Sequence, residues 1–141
     1  MSPDQLFQLS STFVLPGWLA LAFAPFAPRL ADLLATILVP LLLSLVYAGL
    51  VLAFWAGASG GLGSLTQVMQ LFDQPEIALA GWVHYLAFDL FVGAWIVRTA
   101  RVEDINHLFV LPCLVLTFLF GPAGFLAFSA LRVTLTGRSL A

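Results

Sequence analysis

Four long stretches of the chain are almost free of charged side chains. Asp89 is the only charged residue in their interiors, since Asp32 and Arg98 lie at the ends of the second and third stretches. A bilayer core of about 30 Å needs roughly 20 apolar residues per helix, so this pattern predicts membrane-spanning helices. We predict four spans, at residues about 5–25, 31–56, 77–98 and 107–131.

A short amphipathic helix is predicted between the second and third spans, over residues about 64–72. Leu65, Val68, Met69 and Phe72 recur there at helical spacing, with polar residues between them. This pattern is typical of a helix that lies in the membrane interface.

The arginines give only a weak prediction of orientation. With four spans, Arg29, Arg98 and Arg101 lie on one face of the membrane, and Arg132 and Arg138 lie on the other face with the amino terminus. Cytoplasmic loops carry the excess of basic residues. Three arginines against two therefore favour, by a small margin, both termini outside.

The composition agrees with a membrane protein. Hydrophobic residues make up 62% of the 141-residue chain and charged residues 9%, which is too few to cover a water-facing surface. There is no lysine and the formal net charge is −2, so the chain has no basic surface for nucleic acid. Cys113 is the single cysteine, which excludes an internal disulfide. We predict one all-α transmembrane domain, a bundle of four helices, over residues 1–141.

Asp89 is the first candidate functional residue. It lies about 18 Å along the third span from Ile77, close to the bilayer midplane. Intramembrane acids face the bundle interior and mark functional sites by default. Trp82, Tyr85 and Gly93 share its helical face and are candidate ligand-binding residues. The alternative is a structural carboxyl group that is hydrogen-bonded to a neighbour.

His84 lies on the same helix, nearer the membrane surface. Five residues at about 100° each separate it from Asp89 by some 140° around the axis, so the two do not face each other directly. They could still flank one cavity from two sides as an acid–base pair. An interfacial histidine without catalytic work is an equal alternative.

Other polar or helix-breaking residues lie at similar depth and complete the set of candidate ligand-binding residues. Pro122 removes the helical partner of the Phe118 carbonyl, which would add a polar group near the acid. Each polar side chain could instead serve only to join helices. The further candidates are Gln8, Thr12, Ser44, Tyr47, Thr117, Gly121 and Pro122.

No metal or cofactor site is predicted. The two histidines, His84 and His107, lie at opposite ends of different spans and cannot form a metal cluster. The glycine-rich segment at residues 57–63 lacks the lysine of a phosphate-binding loop.

Several segments resemble the membrane family named for the plant abscisic-acid-deficient-four mutant. The segments are residues 71–72 (LF), 81–93 (GWVHYLAFDLFVG), 111–114 (LPCL) and 120–124 (FGPAG). The resemblance implies a small four-span protein needed for converting violaxanthin to neoxanthin, a redox-neutral isomerisation that opens an epoxide. Such a reaction needs an acid and a base in a dry apolar slot. Asp89 and His84 occupy the matching motif positions.

The leading interpretation is a membrane protein that binds a lipophilic isoprenoid, of the carotenoid or xanthophyll kind, and isomerises it without a cofactor. The alternatives are a non-enzymatic scaffold or accessory subunit of a lipid-pigment pathway and, ranked last, a proton or small-solute path. The expected partners are membrane lipids and a lipophilic small molecule, and the sequence leaves homo-oligomers open. The chain begins almost at its first span without a transit peptide, so we expect a prokaryotic inner membrane.

Overall fold

The structure is a computed structural model and describes residues 1–137. Within those residues all regular secondary structure is helical, which confirms the predicted all-α class. Two short turns of other helical types also occur, a π-helical turn at Leu33–Leu38 and a 3-10 turn at Trp55–Gly57. The helices are α1 (Pro3–Phe13), α2 (Leu15–Ala22), α3 (Pro28–Asp32), α4 (Val39–Phe54), α5 (Leu65–Phe72), α6 (Pro75–Val102), α7 (His107–Phe120) and α8 (Pro122–Thr136).

Two continuous helical segments are long and apolar enough to cross a membrane. They are Pro28–Gly57, with 30 residues, and Pro75–Val102, with 28 residues. At about 1.5 Å per residue, each exceeds the roughly 30 Å of a bilayer core. These segments correspond to the second and third predicted spans.

Helix α6 is the centre of the molecule and packs against α1, α2, α4, α5, α7 and α8. Val83, Leu90 and Ile96 are fully buried along it. Many large apolar side chains of the surrounding helices are exposed, as expected for a lipid-facing surface.

The first predicted span is two helices rather than one. Helices α1 and α2 meet at Val14, two residues before Pro16, whose missing N–H interrupts the helical hydrogen bonds. Together they run beside α6 in the same direction. Trp82 near the start of α6 contacts Ser11, and Ala22 at the end of α2 lies near His107, beyond the end of α6.

The prediction of a continuous fourth span at residues 107–131 is wrong. The helix breaks at Gly121, and Gly124 packs so tightly against the backbone of Thr117 that a Cβ there would overlap it. In a straight helix, residues this far apart in sequence would be about 10 Å apart. The chain therefore reverses at Gly121, and α7 and α8 form a helical hairpin.

The hairpin enters and leaves the molecule at the same end. Helix α7 runs antiparallel to α6 until its last carbonyls reach Tyr85. Helix α8 then returns parallel to α6, placing Phe128 against Trp95 and Arg132 within 2.7 Å of Glu103. The tip of the hairpin thus lies halfway along α6.

This path gathers four arginines at one end of the molecule, the end where α6 finishes. We call it the arginine end, defined by Arg29, Arg98, Arg101 and Arg132. The predicted placement of Arg132 on the opposite face is therefore wrong, and Arg138 lies outside the described residues.

The opposite end, which we call the acidic end, carries Asp4, Asp73 and Glu76. Helix α5 lies there, as predicted, with Leu71 buried against the molecule and Met69 exposed. The described chain begins at the acidic end and finishes at the arginine end, so the prediction that both termini share one side is not supported.

Candidate functional site

Asp89 lies at the middle of α6, about 20 Å from either end of that helix. Its side chain is buried, with 9% of the residue surface exposed, and packs against the hairpin tip. A Cβ at Gly121 would lie 2.9 Å from the Asp89 Cγ and 3.0 Å from its Oδ2. Only glycine at this position lets the tip approach the carboxyl group so closely.

One oxygen of the carboxyl group has no hydrogen-bond partner. The Oδ2 atom of Asp89 is buried and unpaired within residues 1–137. Burying a polar atom without a partner costs free energy, and such an atom can accept or donate a hydrogen bond when a ligand arrives. This oxygen is the clearest chemical feature at the middle of α6.

Tyr85 holds the hairpin tip against α6. Because Pro122 has no N–H and Gly121 ends α7, the last carbonyls of α7 lack helical partners. The Tyr85 hydroxyl donates to the Phe118 carbonyl oxygen at 3.2 Å and to that of Leu119 at 3.0 Å. The predicted loss of a helical partner for the Phe118 carbonyl is confirmed, and its replacement partner is Tyr85.

The two helix ends at the tip have opposite polarity. The negative end of the α7 dipole is covered by the Tyr85 hydroxyl, and the positive end of α8 begins at Gly121, beside the Asp89 carboxyl group. Broken helices that end inside a membrane protein place ligand and ion sites in this way. The arrangement lowers the electrostatic cost of a negative charge next to Gly121.

An aromatic strip extends from the tip towards the acidic end. Trp82 stacks on Tyr85 with ring centroids 5.3 Å apart, and Phe7 of α1 lies 5.1 Å from Trp82. The Trp82 Nε1–H donates to Ser11 Oγ at 2.9 Å. The strip gives the α1–α6 seam a flat apolar surface with its polar atoms already paired.

An apolar groove of about 390 Å³ extends from the tip towards the arginine end, between α2 and α7. Trp18, Leu19 and Leu114 line it, and Phe118 closes its inner end. Phe118 also packs edge-on against Trp18, at 5.4 Å between ring centroids. The groove therefore begins at the residue whose carbonyl Tyr85 holds.

The structure does not bring His84 together with Asp89. His84 lies 5.5 Å from Tyr47 and 4.7 Å from Phe88 between ring centroids, on the α4 side of α6. It lines a different cavity, of about 290 Å³, that opens towards α5. The angle of about 140° predicted from helical spacing thus places the two residues among different neighbours.

Most of the chain matches the model of one known protein family. The model of a family described as ABA DEFICIENT 4-like matches residues 5–128. The chain belongs to the ABA DEFICIENT 4-like family. The match includes α1 to α7 and the first half of α8, and it confirms the resemblance noted from the sequence. No curated protein and no solved structure matches the chain.

The region shared with the ABA DEFICIENT 4-like family also contains the other predicted ligand-binding residues, which do not form one site. Gly93 is covered by Trp18, with a potential Cβ only 2.8 Å from that ring. The Thr117 hydroxyl is fully buried and donates to the Cys113 carbonyl at 2.7 Å. The structure places Gln8 and Thr12 on the exposed side of α1, Ser44 in a small groove on α4, Tyr47 beside His84, and Gly121 and Pro122 at the hairpin tip.

Three residues of the candidate site were not predicted from the sequence. Ser11 and Phe7 contact Trp82, and Trp18 lines the apolar groove. Phe7 and Ser11 are four residues apart and so share one face of α1, which is the only sequence signal that could have linked them. Among the described residues, no group of three or more His, Cys, Asp or Glu side chains could hold a metal ion.

Proposed function

We propose that the protein is an integral membrane protein that binds an elongated isoprenoid of the carotenoid class along the seam between α1–α2 and α6–α7. The proposal rests on the buried, unpaired Oδ2 of Asp89, which lies against the hairpin tip, near the end of the apolar groove that Phe118 lines. The groove and the aromatic strip together follow residues 7 to 22, about 22 Å of helix. Membership of the ABA DEFICIENT 4-like family supports a place in carotenoid metabolism.

In this proposal, Asp89 exchanges a proton with an oxygen of the ligand. Opening an epoxide needs a proton on the epoxide oxygen, and forming the new double bond releases a proton from carbon. The isomerisation therefore consumes no proton overall, and one carboxyl group can supply the first proton and accept the second. His84 lies among other neighbours, so the proposal assigns both steps to Asp89.

The test is expression in a carotenoid-producing bacterium, followed by chromatography of total pigments and of pigment that copurifies with the protein. We expect wild type to change the pigment profile and Asp89→Asn to abolish the change while retaining bound pigment. Leu19→Trp should fill the groove and remove bound pigment. Leu126→Trp is the matched control, because Leu126 is similarly exposed on α8 and does not line this groove.

Three results would each contradict one part of the proposal. An unchanged pigment profile with wild type would remove carotenoid chemistry. Equal activity in Asp89→Asn would remove the catalytic role of Asp89. Equal pigment retention in the two tryptophan variants would remove the groove as the binding site.

A non-enzymatic role is the second candidate, because Gly121 packs directly on the Asp89 carboxyl group. In that case Asp89 anchors the hairpin and the protein acts as an accessory subunit. Asp89→Asn should then lower the melting temperature in detergent without any pigment effect. The catalytic role predicts the reverse pattern, a pigment effect with little change in stability.

We further propose three membrane crossings and a re-entrant hairpin, with the arginine end in the cytoplasm. The first crossing is α1–α2, the other two are Pro28–Gly57 and Pro75–Val102, and α7–α8 enters and leaves from the cytoplasmic side. Four described arginines at one end and none at the other support this orientation. We also propose that the membrane is a prokaryotic inner membrane.

Labelling of single cysteines with a membrane-impermeant maleimide tests this topology. In a Cys113→Ser background, Thr66→Cys reports on α5 and Thr134→Cys on the end of α8; both positions are exposed. We expect Thr66→Cys to react in intact cells and Thr134→Cys to react only after lysis. Reaction of both from the same side would instead support four full crossings.

A further inference from the structure

A second polar site lies at the arginine end, on the side of α6 away from the aromatic strip. A cavity of about 390 Å³ opens there between the π-helical turn, α6 and α8. Thr36, Arg98, Thr99 and Arg132 supply polar groups to its walls. It shares no residue with the groove proposed for the isoprenoid.

Arg98 is the cation of this cavity that no side chain neutralises directly. Within the part of the chain that the structure describes, Arg98 forms no hydrogen bond or ion pair, although it acts on Asp32 electrostatically. The Asp32 carboxylate is instead held by Arg101 through two hydrogen bonds, at 2.8 and 3.0 Å. Arg98 is therefore available to an anion that enters the cavity.

Arg132 adds a second cationic group in a fixed position. Its Nε and Nη2 atoms donate three hydrogen bonds of 2.7–3.0 Å to the Glu103 carboxylate. Its Nη1 atom takes no part in these bonds. With one acid and two arginines lining it, the cavity keeps a net positive charge.

Thr36 provides an independent indication of a ligand. Its Oγ1 atom is buried and has no hydrogen-bond partner within the described residues. In a regular α-helix a threonine hydroxyl usually donates to the carbonyl one turn earlier, as Thr117 does. Thr36 lies in the π-helical turn, Leu33–Leu38, where that pairing is absent, and such turns are frequent at functional sites.

The rest of the cavity wall is apolar and leads deeper into the molecule. Phe91, Ala94 and Trp95 line the inner part. Phe91 also borders a groove of about 200 Å³ beside Phe88, along the α4–α6 seam. A ligand with an anionic head and an apolar tail matches this sequence of surfaces, with the head at Arg98 and the tail past Phe91.

We propose that this cavity binds the phosphate headgroup of an anionic membrane lipid. Arg98 pairs with the phosphate, the Thr36 and Thr99 hydroxyls donate to it, and the acyl chain follows Phe91 towards Phe88. Anionic lipids concentrate in the cytoplasmic leaflet, which is where the arginine end lies in the proposed topology. A lipid headgroup and a soluble phosphate compound could both supply this phosphate group. We propose that the ligand is the lipid.

The test measures lipid retention by native mass spectrometry of the purified full chain, with phosphatidylglycerol and phosphatidylcholine as probes. We expect wild type to retain phosphatidylglycerol in preference to phosphatidylcholine. Arg98→Gln should weaken this binding by about tenfold or more, the usual effect of losing a hydrogen bond between charged groups. Thr36→Val, which preserves size, should weaken it by a smaller factor.

Arg29→Gln is the matched control, since Arg29 is exposed at the same end and does not line the cavity. An equal loss in Arg29→Gln and Arg98→Gln would overturn the site, because it would indicate general attraction to anionic lipid. In a second experiment, inorganic phosphate is added to the protein with its bound lipid. Displacement of the lipid by millimolar phosphate would show that a soluble phosphate compound is the ligand and would overturn the lipid as the source.

Discussion

The contact between Gly121 and Asp89 predicts a specific energetic coupling between the hairpin and α6. In Gly121→Ala, the new Cβ would lie 2.9 Å from the Asp89 Cγ, closer than the optimum of about 3.5–4.0 Å for two carbon atoms. Such overpacking costs about 1–3 kcal/mol. The Gly121 backbone, at φ 15° and ψ −81°, is not one that alanine adopts without strain, so no entropic gain offsets this cost and we expect a loss of about 1–3 kcal/mol.

The assay is reversible unfolding in mixed detergent micelles, followed by far-ultraviolet circular dichroism. Gly49→Ala is the control, because a Cβ at Gly49 in α4 meets no atom within 4 Å. That substitution should stabilise the helix by up to about 1 kcal/mol. The two glycine variants are thus expected to change stability in opposite directions.

A double-mutant cycle with Asp89→Ala then locates the cause. Removing the carboxyl group provides space for the new methyl group, so Gly121→Ala should cost about 1–2 kcal/mol less in the Asp89→Ala background. Additive effects of the two substitutions would refute the contact as the source of the destabilisation. A loss in Gly49→Ala equal to that in Gly121→Ala would point to a general effect of losing glycine.

Three further predictions concern the packing of the hairpin and of α1. Gly124→Ala should destabilise the protein more than Gly121→Ala, because the Cβ at position 124 would overlap the backbone of Thr117. Truncating the Thr117 side chain cannot relieve that overlap, so Thr117→Ala should fail to restore stability. Glu103→Gln should lower the melting temperature more than Arg101→Gln, because the Glu103 side chain is 6% exposed in its ion pair and the Arg101 side chain is 43% exposed in its own. Equal shifts in melting temperature would contradict the idea that burial makes the Glu103 ion pair the costlier one to break. Trp82→Phe should cost about 0.5–1.5 kcal/mol of stability, because the indole hydrogen bond to Ser11 is lost. In a Ser11→Ala background most of this cost should disappear.

The parts of the fold that depend on local pattern could be predicted from the sequence. Helix α5 was predicted from the amphipathic spacing of Leu65 to Phe72, and the helix at Pro28–Gly57 from an uninterrupted apolar run. Helical geometry correctly set Asp89 and His84 some 140° apart, but the prediction that they flank one cavity is not supported, because the cavity that His84 lines does not include Asp89. In each case the signal lies within a single element.

The hairpin could not be predicted in this way, because hydropathy measures the composition of a segment and not its direction. The apolar run from 107 to 131 is long enough for one crossing, yet Gly121 reverses the chain halfway. The Gly121-Pro122 pair indicated a freed Phe118 carbonyl, and that local inference is confirmed. The reversal brings Gly124 against Thr117, and hydrophobic periodicity does not predict such a contact between two helices.

The hairpin also changes how the polar residues of α6 are explained. Backbone groups buried away from water need partners from the protein, so a helix pair that turns halfway along α6 requires polar side chains opposite its tip. Tyr85 and Asp89, four residues apart on one face of α6, lie opposite that tip. Tyr85 uses its donor on the last carbonyls of α7, whereas the Asp89 Oδ2 keeps its capacity unused. A carboxyl group needed only to hold the tip would be expected to pair its buried oxygen with a donor, so the unpaired Oδ2 is the feature that favours a ligand over anchoring alone.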